Sequence, residues 1–238
     1  NGASTELIAL LQQLGIINQD LNWAGGDSHL VSLGNLTGAG GRSGRVIEML
    51  MKLEQQAPKA GGRVHLVLGD QELALLAKGT EAQISVEARA WLKQQPGVIK
   101  INDKIYAHGG ISRSFVSKSL TWLNDRAHKE LGEPSVLSDE GLTRYRGTAM
   151  CHPFAEPFNT ERFLKQVGAK QYVMGHVPTQ GNVESRMDGM VILLDTGLVE
   201  GGRASAFLAT AEDVYVHYLG HTKKSAIEPQ KRQIARQV

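Results

Sequence analysis

Four short apolar stretches of this chain each end in a small residue followed by a polar one: Gly34-Asn35, Gly69-Asp70, Ala107-His108 and Gly175-His176. Each stretch is strand-like and most lead into a helical pattern. This is the signature of an α/β layered domain, in which ligands bind beyond the carboxyl ends of the strands. Glycine at such an end lets the backbone turn sharply and come close to a ligand. The pattern therefore predicts that Asn35, Asp70, His108 and His176 converge on one point.

The segments between these endings support that frame. Ser4 to Leu14 and Ser43 to Glu54 carry apolar residues at helical spacing. His29 to Leu33, Val64 to Leu68, Val98 to Ile101, Lys104 to Ala107 and Gln171 to Met174 are strand-like. Phe115 to Glu130 and Glu161 to Val167 are helical, with an irregular polar stretch between them. Val191 to Leu194, Arg203 to Leu208 and Val214 to Tyr218 sit at hairpin spacing and predict a C-terminal β-meander. The tail from Thr222 to Val238 is polar and basic and is expected to fray.

At 238 residues the chain is long enough for one large domain. A formal net charge of +2 and the absence of a dense Lys/Arg run outside the tail argue against nucleic acid as a partner. One cysteine, Cys151, excludes an intrachain disulfide and a Cys-rich zinc site. No stretch approaches the roughly 18 apolar residues of a membrane span. Periplasm and cytoplasm stay equally open.

The order of motifs resembles the calcineurin-like metallophosphoesterases, and most of all their Shewanella-like phosphatase branch. The second family motif, Gly-Asp-x-x-Asp-Arg-Gly followed by Ser, reads here Gly34-Asn35-Leu36-Thr37-Gly38-Ala39-Gly40 with Ser43 in place. The third, Gly-Asn-His-Glu, reads Gly69-Asp70-Gln71-Glu72. The strand ending in His-Gly-Gly is Tyr106 to Gly110. Gly175-His176-Val177-Pro178 stands for Gly-His-Thr-Pro, and Asp195-Thr196-Gly197 for the closing Asp-Thr-Gly. Tyr145-Arg146-Gly147 also resembles the branch. The first motif, Gly-Asp-x-His-Gly, would put Asn1 at its histidine. Its aspartate and strand are then expected upstream of residue 1, or replaced by another segment or chain.

The resemblance implies a four-layer α/β/β/α sandwich over residues 1–221, with residues 222–238 as a tail. It also implies a two-metal site, whose bridging aspartate is here Asn35. The second-site ligands map to Asn35, Asp70, His108 and His176. Asp and Asn have exchanged places, which leaves one carboxylate and two imidazoles, a set suited to one Zn²⁺, Fe²⁺ or Mn²⁺. An empty, hydrogen-bonded polar cluster is the alternative. The family's general acid becomes Gln71, which has no proton to give at neutral pH. Its phosphate-binding Arg becomes Ala39, and the neighbouring Asp becomes Gly38. No catalytic residue is assigned; Glu72, Arg146 and Asp195 are accessory candidates.

The expected function is that of a catalytically impaired pseudophosphatase with a protein-interaction, scaffolding or regulatory role toward a protein partner or companion domain. The alternative is a phosphoesterase working with one metal, with Glu72 or a substrate group moving the proton. A phosphate-cradling role for Gly34 to Gly44, a Cys151-His152 nucleophile and metal binding by His29, His65, His128, His217 or His221 are all weaker than structural readings of those residues. The three tryptophans, Trp23, Trp91 and Trp122, are expected to anchor packing.

Overall fold

The computed structural model describes residues 2–36, 43–78, 84–129, 138–150 and 155–229. The helices are α1 (Gly2–Gln13), α2 (Ser43–Gln56), α3 (Asp70–Lys78), α4 (Val86–Leu92), α5 (Leu120–Lys129), α6 (Gly147–Met150) and α7 (Ala155–Val167). The strands are β1 (His29–Ser32), β2 (Arg63–Leu66), β3 (Val98–Ile101), β4 (Lys104–Ala107), β5 (Gln171–Met174), β6 (Glu184–Arg186), β7 (Val191–Leu193), β8 (Ser205–Ala209), β9 (Val214–Tyr218) and β10 (Glu228–Pro229).

The centre is a mixed six-stranded sheet in the order β10-β6-β7-β5-β4-β3. Its two faces follow directly from the two-residue period of a strand. Ile105, Ala107, Tyr172, Met174, Val191 and Leu193 point one way, into a core shared with Leu123 of α5 and with Phe163 and Leu164 of α7. Tyr106, Val173 and Ile192 point the other way, onto Phe207, Val216 and Tyr218 of the β8–β9 hairpin. Helices thus cover one face and a hairpin the other.

β1 and β2 pair in parallel, Leu30 opposite Val64 and Val31 opposite His65. Val64 and Leu66 lie beneath α2, which buries Val46, Met49, Leu50 and Leu53 on one flank and Ile47 on the other. The chain is therefore α/β, as the alternating pattern implied.

Four expectations change in detail. β7 does not begin a meander: it pairs with β5 and β6 in the central sheet, and only β8 and β9 form a hairpin. α5 starts at Leu120 and not at Phe115, because Ser119 caps it, its Oγ accepting from Trp122 N at 3.1 Å. α7 starts at Ala155, six residues before the expected Glu161, with Pro157 in its first turn where a missing N–H costs nothing. Part of the tail is ordered, since β10 pairs in parallel with β6.

Candidate metal centre

Three of the four strand endings deliver a metal-ligating side chain to one point. The ligand atoms of Asp70, His108 and His176 all lie within 4.8 Å of one another. Asp70 Oδ1 is 3.3 Å from His108 Nε2 and 3.8 Å from His176 Nδ1. Both imidazoles are buried and the carboxylate is partly so.

Local chemistry explains each placement. β1 runs into Gly34 at φ +86° and Asn35 at φ +59°, a left-handed pair that turns the chain back. A Cβ on Gly34 would lie 2.7 Å from Val67 O and 2.8 Å from Gly69 Cα, so the two strand ends touch only because glycine stands there. The Glu72 carboxylate, fully buried, ties the two ends together. Its Oε2 accepts from Asn35 N at 2.7 Å and Gly69 N at 2.9 Å, and its Oε1 accepts from Leu36 N at 2.7 Å. Asn35 Oδ1 in turn accepts from Gln71 N at 3.1 Å, which seats the amide beside Asp70.

The two histidines are held as a pair. Gly175 N donates to His108 O at 3.0 Å, and His176 sits at φ +62°. His108 Nδ1 lies 2.6 Å from the carbonyl oxygen of Leu33, so Nδ1 carries the proton and donates it there. That makes Nδ1 the donor and turns Nε2 toward Asp70.

The following glycines place a second element. Gly109 N donates to Leu142 O at 3.2 Å and Gly110 N to Tyr145 O at 2.8 Å. Cβ atoms there would meet Leu142 O and the Thr148 side chain within 3.0 Å. The segment that packs on them carries Arg144 and Arg146. Arg146 Nε donates to His176 Nε2 at 3.4 Å. Tyr145 donates from its hydroxyl to Glu156 Oε1 at 2.6 Å, and Arg186 Nη1 donates to Thr148 O at 3.1 Å, which anchors that turn from behind.

Charge follows the geometry. Burial alone would push the Asp70 carboxyl up, but His108, Asn35 and His176 around it outweigh burial and bring it down to about 2. His176 is pushed below the usual histidine value by burial, with His108 and the two arginines adding to that and Asp70 opposing it. It is a neutral ligand at neutral pH. Asp70 Oδ1 and His108 Nε2 are both buried and neither has a hydrogen-bond partner. The two atoms stand 3.3 Å apart, and with His176 the donor set fits one divalent transition ion.

Gln71 is exposed and Gly38 and Ala39 lie outside the described residues, as do Cys151 and His152. Asp195 uses its carbonyl and its Oδ1 on Thr179 N and Gly197 N, and borders a cavity of about 170 Å³ against Leu7 and Leu10 of α1. Sequence reasoning missed the roles of Leu33 and Glu156. A backbone carbonyl leaves no sequence signal; Glu156 could be suspected only as an acid on the apolar face of a helix.

No protein-family model matches the chain. An uncharacterized protein of Schizosaccharomyces pombe is 24% identical over 212 residues, which are 74% of this chain; the chain spans 63% of that relative's length. Among solved structures, the cold-active protein-tyrosine phosphatase of a psychrophilic Shewanella species superposes with a TM-score of 0.79 at 25% identity, over 91% of this chain and 76% of that one. A protein serine/threonine phosphatase of Saccharomyces cerevisiae superposes at 0.62 with 15% identity, over 96% and 80%. A putative diadenosine tetraphosphatase gives 0.53 at 22% identity, over 92% and 89%. These strand-end ligands, on a scaffold shared with such enzymes, give the chain the fold of the calcineurin-like metallophosphoesterases and a resemblance to their Shewanella-like branch.

Proposed function

We propose that this domain is a single-metal pseudophosphatase: it holds one divalent transition ion at Asp70, His108 and His176 and uses the phosphatase shell to bind a protein partner or companion domain, not to turn over phosphate esters. The observation that carries the metal is the buried, partnerless pair of Asp70 Oδ1 and His108 Nε2, with the histidine tautomer already set by Leu33. Impaired chemistry is supported by what stands around it. Asn35 offers a neutral amide where a bridge between two ions needs a carboxylate. Gln71 has no acidic proton for a leaving group, and Ala39 in the sequence supplies no guanidinium.

A bound ion would supply a positive centre for an anionic oxygen. Arg146, at the edge of His176, and Arg144 behind it add positive charge on the same side. Glu72 is assigned to the scaffold, because its carboxylate already accepts backbone N–H groups from both strand ends.

The arginines favour a second reading, a phosphoesterase that works with this one ion. One experiment separates the two. Metal content is measured on freshly purified protein, and p-nitrophenyl phosphate turnover on the same sample with and without added Mn²⁺. One equivalent of metal that disappears in Asp70→Ala, without turnover, is the expected result. Turnover lost in Asp70→Ala establishes the phosphoesterase. Wild-type protein with far less than one equivalent, even after loading, refutes the metal centre.

A further inference from the structure

We propose that His29 and His65 form a second metal site, a two-imidazole clip for a borderline divalent transition ion such as Cu²⁺, Ni²⁺ or Zn²⁺, with donors of its own on β1 and β2. Leu30, Val64 and Leu66 face the helices, so strand alternation puts His29, Val31, Arg63 and His65 on the opposite face. His29 is exposed and His65 half-buried there.

The spacing of the two donors is the main argument. His65 Nε2 lies 3.2 Å from His29 Nδ1, with ring centroids 5.2 Å apart and planes tilted by 35°. Two metal–nitrogen bonds of about 2.05 Å put their nitrogens about 3.3 Å apart at a tetrahedral angle and about 2.9 Å apart at a right angle. The observed separation lies between these values, so one ion can replace the single proton that now joins the rings.

The donor set also selects the ion. Two imidazoles without a carboxylate give hard cations such as Mg²⁺ and Ca²⁺ little to bind. They suit the ions late in the first transition row, with Cu²⁺ favoured. Arg63 opposes any cation and, with His29, keeps His65 below its usual value after burial has lowered it. That leaves the His65 imidazole unprotonated at neutral pH and ready to ligate.

A filled clip would act as a structural cross-link. β1 leads to Asn35 and β2 to Asp70, and His65 stands five residues before Asp70, about 16 Å along an extended chain. An ion at the clip would lock the relative register of the two strands that set the first centre, without touching it.

The test is a titration of wild-type protein and of the His29→Ala variant with Cu²⁺, read by calorimetry and by electron paramagnetic resonance. Because His29 is exposed, the variant keeps the apolar face of β1 intact. The expected result is one equivalent fewer in His29→Ala than in wild type, whatever the Asp70 centre holds. The two-nitrogen Cu²⁺ signal and the rise in melting temperature that belong to this equivalent should be lost with it, leaving only those of the Asp70 centre. His65→Ala should reproduce both losses. Equal stoichiometry in wild type and both variants, or the loss of an equivalent without the two-nitrogen signal, overturns the site.

Discussion

Glu72→Gln is the substitution that best separates a scaffold role from a proton-transfer role, because it keeps the shape and removes only the charge and one acceptor. In the wild-type protein three backbone N–H groups, of Asn35, Leu36 and Gly69, donate to this carboxylate. Hydrogen bonds to a charged acceptor contribute about 1 kcal/mol more each than bonds to a neutral one. A glutamine can turn its one oxygen to Asn35 and Gly69, but its amide N–H₂ then faces Leu36 N, and the unmet donors cost about 1–3 kcal/mol. Against this stands the lower cost of burying an amide than a carboxylate. The net expectation is a loss of about 3 kcal/mol, which for a chain of this size lowers the melting temperature by roughly 6–12 °C. Thermal and denaturant unfolding in the presence of EDTA measure it without interference from metal. Metal affinity should fall with stability, since the same carboxylate holds Asn35 and Gly69 beside Asp70. A variant that melts within about 2 °C of wild type (about 0.5–1 kcal/mol) yet loses phosphate-ester turnover would refute the scaffold argument and return Glu72 to the chemistry.

Two further outcomes follow from the same geometry. In Arg146→Ala, calorimetry should show metal affinity rising by about 2–5-fold, because the guanidinium no longer donates to His176 Nε2, the nitrogen that must carry the proton when Nδ1 ligates. Tungstate or phosphate binding to the metal-loaded protein should weaken in the same variant; an unchanged anion affinity with lower metal affinity would contradict this. In metal-free protein, stability should fall as pH drops from 6.5 toward 5. The folded forms of His65 and His176 take up protons less readily than the unfolded chain, so the stability they contribute is full above 6.5 and lost as pH passes through their lowered values. His65→Asn should flatten part of that slope in melts run across the range, and an unchanged slope would remove His65 from the account.

The central sheet and the meeting of the four strand endings were legible because apolar alternation and glycine punctuation are local signals. β3, β4, β5 and β9 have the limits their sequences suggest. β6 was not legible, since Glu184-Ser185-Arg186 has no apolar alternation and is a strand only through β7 and β10 beside it. β7 carried a signal that was misread. Val191, Ile192 and Leu193 are apolar without interruption and all fully buried, which marks a strand covered on both faces and not one arm of an exposed meander. At the site, residue types identified the ligands, but nothing in them foretold that Leu33 would set the His108 tautomer through its carbonyl. Likewise Glu72 looks like an acid beside a ligand in sequence, and only the fold shows the three N–H groups it serves.

The exchange of Asp and Asn between positions 35 and 70 decides how many ions the centre can hold. Two dications about 3.75 Å apart repel each other by on the order of 18 kcal/mol even at an effective dielectric of 20. The family resemblance implies a bridging carboxylate that offsets part of that, and the residue that maps to it here is the neutral amide of Asn35. Asp70, the one carboxylate among the three converging side chains, balances part of one dication and no more. Asn35→Asp restores the carboxylate with almost no change in shape, and Gln71 N can still donate to it. In metal-free protein two carboxylates would then adjoin, so the melting temperature in EDTA should drop by several degrees. With Mn²⁺ or Zn²⁺ the order should invert, the variant binding at least tenfold more tightly and melting above wild type. A variant indifferent to metal in both stability and affinity would mean that position 35 does not face the ion, and the single-metal account would then rest on Asp70 and the two histidines alone.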